Sequence, residues 1–307
     1  MANLKDIKNR IQSVESTKKI TRAMKMVAAA KVKRAENAVK ASRPFTAELN
    51  TMFAKLLTSV GSLTDCNVKV KSAIDNYPCL LAERPVNSVG ILVLTSNKGL
   101  AGAYNANIIR KTVKIIENYS QSGINCKLFI VGQKGLSVLK KKCKDFNCEI
   151  AGEYLGVANN PTPSGANIIT EDIAKYFVEG QIDKIEIVTT RFKNMMSYYT
   201  EDWVVLPVQK PESDETIRKI DPLMEFEPNT ETILQRVVPL YITNIIYQAL
   251  LEAQASELAS RMTAMSAATS NAEKMLHDLS IEYNKTRQTA ITQELIEVVS
   301  GANAQNN

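Results

Sequence analysis

Between Pro239 and Gly301 the chain runs for sixty-one residues without a glycine or a proline. Helices in globular domains average about 11 or 12 residues, so this stretch constrains the fold more than any other feature. Helical throughout, it would measure about 90 Å at about 1.5 Å per residue. A chain of 307 residues cannot bury such a rod within itself. The sequence therefore predicts a helix that protrudes and is received by something else.

A seam runs along it through Leu258, Met262, Met265, Thr269, Ala272, Leu276, Leu279, Tyr283, Thr286 and Ala290. The steps alternate four and three, which is a heptad register and implies left-handed winding around a partner helix. Thr, Ala and Met stand where a strong zipper has Leu or Ile, so the seam buries little area. One reading is a simple dimerisation coiled coil. The other is a slim shaft stabilised in part by what surrounds it. Upstream, Ile242, Ile245, Ile246 and Leu250 widen the apolar stripe, so that end is expected to pack on the rest of the protein.

The opposite terminus supplies a partner. Residues 1–43 also lack glycine and proline, and Leu4, Ile7, Ile11 and Val14 step by three, four and three. After a slip, Ile20, Met24 and Val27 are expected to resume the stripe. Pro44 is expected to kink or end this helix, with Phe45, Leu49, Met52 and Leu56 resuming it as far as Gly61. The simplest arrangement pairs the two terminal helices antiparallel.

Charge is concentrated on the first helix. Residues 1–43 hold twelve Lys/Arg against three Asp/Glu, residues 240–307 hold four against seven, and the whole chain carries +6. A basic stripe fits nucleic acid, anionic lipid, an acidic protein surface, or plain solvent. A basic coiled-coil nucleic-acid binder is thus an alternative, but aromatics are absent before Phe45 and no nucleic-acid-binding signature is present.

Between Val86 and Val208 strands alternate with helices, which implies an α/β sheet domain. Strands are read at 89–94, 127–131, 185–190 and 203–208, the last two as a possible hairpin; helices are read at 104–119, 135–142 and 166–178. The expected organisation is a coiled-coil helix over 1–60, a connector over 61–85, the α/β domain over 86–208, a connector over 209–228, and a second coiled-coil helix over 229–307. The turn Thr95–Asn105 sits where a doubly wound fold binds phosphate. It matches neither phosphate-loop pattern and its one lysine precedes both glycines, so a structural turn is favoured over the nucleotide site of an oxidoreductase.

The inventory offers little chemistry. A single His277 cannot build a His-rich metal site, and no nucleophilic triad is evident. The five cysteines (Cys66, Cys79, Cys126, Cys143, Cys148) form no C-x-x-C. With no signal-like start, this implies a reducing compartment with packed thiols, though Cys143 and Cys148 are close enough in sequence to form a redox pair. No apolar run approaches a membrane span. No catalytic residue, cofactor or metal is expected, which favours a mechanical or scaffolding protein.

The run from Ile7-Lys8-Asn9-Arg10-Ile11 through Ser16-Thr17-Lys18-Lys19-Ile20-Thr21-Arg22-Ala23-Met24-Lys25-Met26-Val27-Ala28-Ala29-Ala30-Lys31 resembles the gamma subunit of F-type ATP synthases. So do Ile291-Thr292-Gln293-Glu294-Leu295-Ile296-Glu297 and Thr95-Ser96-Asn97-Lys98-Gly99-Leu100. The resemblance implies a central rotor stalk, without catalytic residues of its own, in the proton-translocating complex. Its terminal helices would form an antiparallel coiled coil inside a ring of alpha and beta subunits. A Rossmann-like α/β foot would lie against epsilon and the membrane c ring. It would transmit torque for synthesis of ATP from ADP and phosphate, regulate ATPase activity and proton flow, and meet the membrane only through the complex. Nucleic acid would not be a partner. The implied location is the cytoplasmic face of a bacterial inner membrane, or the matrix side of the mitochondrial one. By the same resemblance Arg287 and Gln288, supported by Thr292 and Glu294, contact a loop of beta, and Met24 and Lys25 face an acidic beta loop. Ala101 and Ala103 depart from the family's frequent Cys and Gly, and no inserted regulatory dithiol of the chloroplast type is present.

Overall fold

A computed structural model describes residues 4–59, 77–81, 84–146, 148–208 and 230–305. The expected connector over 209–228 lies outside the described residues, as do Cys66 and most of the one over 61–85. The elements are α1 (Leu4–Ser59), α2 (Tyr77–Leu81), β1 (Ser88–Leu94), α3 (Tyr104–Gln121), β2 (Asn125–Val131), α4 (Gln133–Lys142), β3 (Cys148–Tyr154), α5 (Pro163–Val178), β4 (Lys184–Asn194), β5 (Ser197–Leu206) and α6 (Thr230–Gln305). The chain divides into two compact units, residues 30–260 and residues 1–29 with 261–307.

The larger unit holds the sheet, in strand order β3-β2-β1-β4-β5. The first four strands run parallel and β5 pairs antiparallel with β4 as a hairpin. β1 is buried along both faces, which is why its sequence reads as one apolar run rather than an alternation. Val89, Ile91 and Val93 pack with Tyr104, Ile108 and Ile116 of α3 and Leu136 and Leu139 of α4. Leu92 and Leu94 face the other way, toward Ile169, Ile173 and Phe177 of α5 and Ile242, Ile246 and Leu250 of α6. Gly90 lies in this strand because a Cβ there would stand 2.6 Å from the Ile185 side chain. The upstream stripe of α6 thus packs on the α/β domain, as its width predicts.

Strand β3 escapes the sequence reading. Its residues Cys-Glu-Ile-Ala-Gly-Glu-Tyr lack the β-branched apolar run of a central strand, because β3 is an edge with only one neighbour. Helix α5 begins three residues before the expected start. Thr162 caps it, its hydroxyl accepting the Gly165 N–H at 3.1 Å, and Pro163 occupies the first turn.

Within this unit α1 and α6 pair antiparallel. Asn244 donates to Thr46 at 3.0 Å, and the rings of Phe53 and Tyr241 stack at 4.1 Å. The helix continues through Pro44, which therefore does not end it. Pro44 is exposed, so the Lys40 carbonyl that loses its intrahelical donor can turn to water. The buried positions that follow are Thr46 (half-buried), Leu49, Phe53 and Leu56, while Phe45 and Met52 of the expected pattern are exposed.

One clamp binds the helix pair to the sheet. Arg43 donates through Nη2 to the Phe192 carbonyl at 2.6 Å and through Nε to Glu252 at 3.2 Å. Glu252 in turn accepts the Phe192 backbone N–H at 3.2 Å and Gln248 Nε2 at 2.8 Å. A strand end, α1 and α6 thereby share one polar knot, above a cluster of Val32, Val39, Phe192, Ala255 and Leu258.

The smaller unit is a helix pair alone. Lys18 forms an ion pair with Glu273 at 3.1 Å, and the hydroxyls of Thr21 and Thr269 are hydrogen-bonded at 3.0 Å. These two links fix an antiparallel register. The α6 seam lies as its spacing predicts, with Met265, Ala272 and Leu279 buried and the intervening seam residues to Ala290 half-buried. On α1 the expectation fails after Val14: Ile20 and Val27 are 61% and 57% exposed. Heptad phase carries the seam instead through Lys18, Thr21 and, after a short slip at half-buried Met24, Ala28. Lys18 fits because its stem can lie along the seam while its ammonium reaches Glu273.

Replacing Glu252 with Ala leaves Arg43 Nε and the Phe192 N–H without their acceptor. Partial exposure of Arg43 tempers the loss, so denaturation followed through Trp203 should show a destabilisation of about 2 kcal/mol. Tyr119 donates to Glu186 at 2.6 Å, and burial followed by that hydrogen bond pushes its pKa up to about 12. Its contribution to stability is therefore complete below the ordinary tyrosine pKa of about 10 and is lost as pH rises through about 12. Stability measured across that alkaline window should fall less steeply in Tyr119→Phe than in the parent chain.

Candidate functional site

The turn after β1 is plugged by the protein itself. Its first residues are spent on the N-terminal donors of α4, the helix after β2: Gly135 N–H on Thr95 Oγ1 at 3.0 Å, Lys134 N–H on the Ser96 carbonyl at 3.0 Å and Gln133 N–H on Asn97 Oδ1 at 3.0 Å. Asn105 accepts the Ser96 N–H at 3.0 Å, closing the turn. Leu100 and Gly102 take positive φ of 63° and 53°. The Ala101 carbonyl accepts Ser260 Oγ of α6 at 2.6 Å and the Tyr104 N–H at 3.1 Å. The cavity beneath measures about 10 Å³. The turn thus works as a bracket between the sheet and α6, as a structural reading of its sequence predicts.

A cleft of about 510 Å³ opens beside the Arg43–Glu252 clamp, with Arg191, Lys193 and Tyr199 on its far wall. Its charges are largely committed: Arg191 pairs with Glu201 at 3.4 Å and Lys193 reaches the Tyr199 hydroxyl at 3.1 Å. Among the described residues no group of three or more His, Cys, Asp or Glu is placed to hold a metal ion. His277 is exposed on α6.

The helix pair of the smaller unit is different. Past Ala290 every α6 side chain through Gly301 is exposed. The 18–273 and 21–269 links place Leu4, the first described residue of α1, near residue 287 of α6. Five large apolar side chains occupy this overhang: Ile291, Leu295, Ile296, Val298 and Val299. On α1, exposed Ile20, Met26 and Val27 form a second apolar group. Exposed apolar groups of this extent on a rigid surface mark a macromolecular contact.

The residues singled out from the sequence fall on these same surfaces. Arg287, Gln288, Thr292 and Glu294 are exposed on α6. Thr292 donates to the Gln288 carbonyl at 2.9 Å, which places these two together. Arg287 makes no hydrogen bond or ion pair among the described residues, so its five donors stay available. Met24 is half-buried beside the seam and Lys25 is exposed. Register puts this pair opposite residue 266 or so, about 30 Å along the axis from Arg287. The two groups therefore stand in separate zones of the helix pair. Sequence reasoning missed the apolar flank at Ile20 and Val27 because it assigned them to the seam; strict heptad phase from Val14 would have freed them.

Such a chain acts through the faces of a helix pair, in the manner of a shaft-type subunit. Comparison with known proteins gives that class a family. A family model described as ATP synthase matches residues 3–305. The ATP synthase gamma chain of Picosynechococcus sp. is 39% identical, with 99% of this chain and 100% of the relative aligned. That of Gloeobacter violaceus is 40% identical over the same shares. Among solved structures, a chain in the central stalk/c-ring of Tetrahymena thermophila mitochondrial ATP synthase is 27% identical with a TM-score of 0.60, covering 81% of this chain and 99% of that one. A chain of the Euglena gracilis mitochondrial ATP synthase, 18% identical with a TM-score of 0.66 over 98% of this chain and 94% of that one, shares the fold. The chain belongs to the ATP synthase gamma-chain family.

Ala28 is buried in the seam and Ile20 is not. Ala28→Leu should therefore cost about 1–3 kcal/mol by overpacking, while Ile20→Ser should stay within about 0.5 kcal/mol. Thermal unfolding of the isolated chain by circular dichroism checks both.

Proposed function

We propose that this gamma chain is the central rotor stalk of a proton-translocating ATP synthase, turning inside an alpha/beta head and carrying torque between it and a membrane c ring. The observation that carries the proposal is the α6 overhang, an exposed helix with five large apolar side chains and no partner among the described residues. Family membership supplies the setting, since the Tetrahymena relative is a central stalk bound with a c-ring. No helix among the described residues is long and apolar enough to cross a membrane, which agrees with attachment through other subunits. In this reading the subunit contributes no catalytic group, sits peripherally on the cytoplasmic face of a bacterial inner membrane or the matrix side of the mitochondrial one, and also contacts epsilon.

Mechanically, the requirements are a slim section, a fixed register and contacts that break readily. Ala, Thr and Met in the seam keep the pair slim. Arg287 and Gln288 offer polar contacts to a beta-subunit loop; Arg suits this because its fork binds a carboxylate bidentately. Thr292 and Glu294 extend the same zone. Lys25, beside Met24, offers a charge to an acidic beta loop. Each contact must form and break as the shaft turns, so shallow, exposed groups serve better than deeply buried anchors. The nucleic-acid alternative draws on the charge of α1, part of which is already met by Glu15, Glu36 and Glu273.

In the assembled complex, Arg287→Ala combined with Gln288→Ala should lower ATP turnover several-fold while the α/β domain stays folded. Unchanged turnover would remove the assigned contact.

A further inference from the structure

The α/β domain holds three thiols in one place. Cys126 on β2 is the register partner of Cys148, the first residue of β3. Cys143 follows the last residue of α4, and its backbone N–H is held by the Leu139 carbonyl at 2.8 Å. The chain then reverses tightly: Asp145 N–H reaches the Lys142 carbonyl at 2.9 Å, and Cys148 N–H the Phe146 carbonyl at 2.8 Å. Cys126 is buried in the core between the sheet and α3–α4, and Cys143 and Cys148 pack against its rim, half-buried. The reversal brings both side chains to the rim of the same apolar cluster, where the two thiols influence each other.

We propose that Cys143 and Cys148 form a reversible, peroxide-responsive disulfide that staples the end of α4 to the start of the edge strand β3. Their environments divide the labour. The influence of each thiol on the other lowers the pKa of Cys143 and raises that of Cys148. Cys143 is the nucleophile, since thiolate is the reactive form. Cys126 is a spectator, its pKa pushed up to about 11 chiefly by burial. The Cys143 thiolate attacks one peroxide oxygen, the O–O bond breaks, and hydroxide leaves, taking a proton to become water. The Cys148 sulfur then attacks the sulfenic sulfur, forming the S–S bond; the departing hydroxyl takes up the Cys148 proton as a second water. Two thiols and one hydroperoxide give one disulfide and two waters. A dithiol reductant reverses the change by exchange, becoming oxidised itself.

The experiment treats the full chain with hydrogen peroxide and reads intact mass, mapped disulfides and amide exchange. A mass loss of about 2 Da with a Cys143–Cys148 linkage, reversed by dithiothreitol, is expected, together with slower exchange at the start of β3. Cys126→Ala should keep that loss; Cys148→Ser should abolish it and leave an oxygen adduct on Cys143. Persistence of the loss in Cys148→Ser, a linkage mapped elsewhere, or no linkage once other thiols have been oxidised would overturn the proposal.

Discussion

Two helices that pair through alanine, threonine and methionine gain little from buried area, so their register has to be fixed by something else. Here it is fixed by polar links across the pair. In the smaller unit these are Lys18 to Glu273 and Thr21 to Thr269. In the larger unit they are Arg43 to Glu252 and Thr46 to Asn244. Such links are directional, and a slip by one heptad would put Val14 or Ala28 opposite Thr269 and Val39 or Phe53 opposite Asn244. The exposed overhang of α6 follows from this register, as does the outward turn of Ile20 and Val27.

The same economy governs the α/β domain. The motif that resembles a phosphate turn uses Thr95, Ser96 and Asn97 as acceptors for the first N–H groups of α4. What remains is a rigid bracket gripping α6 through Ser260 and Ala101. The Arg43–Glu252 clamp does comparable work at the end of β4, holding one backbone unit of Phe192 from both sides. A subunit that carries twist needs joints of this kind, in which a helix pair is tied to a sheet by short hydrogen bonds and not by loose apolar contact alone.

Much of this was legible in the sequence. The α6 seam could be read because its period persists over thirty residues, and β1 because it is apolar on both faces. The α1 seam was misread where apolarity and phase part company: Ile20 is more apolar than Thr21, yet only Thr21 stands at the heptad position. β3 was missed because an edge strand need not be apolar. Pro44 looked like a breaker because a sequence does not show which side of a helix faces water. Arg287, Gln288, Thr292, Glu294, Met24 and Lys25 came from family resemblance. Their geometry toward a partner is not written in one chain, whose exposed donors say only that a contact is available.

The central claim is that polar links lock the helix pair into one torsional element. Cysteines in place of Thr21 and Thr269, in a background lacking Cys143 and Cys148, test it directly by cross-linking the helices where their hydroxyls already meet at 3.0 Å. ATP turnover of the assembled complex, measured before and after oxidation, should be unchanged, because a locked pair has no sliding to lose. Loss of turnover on cross-linking, restored by reduction, would show that the two helices must move against each other and would contradict the account.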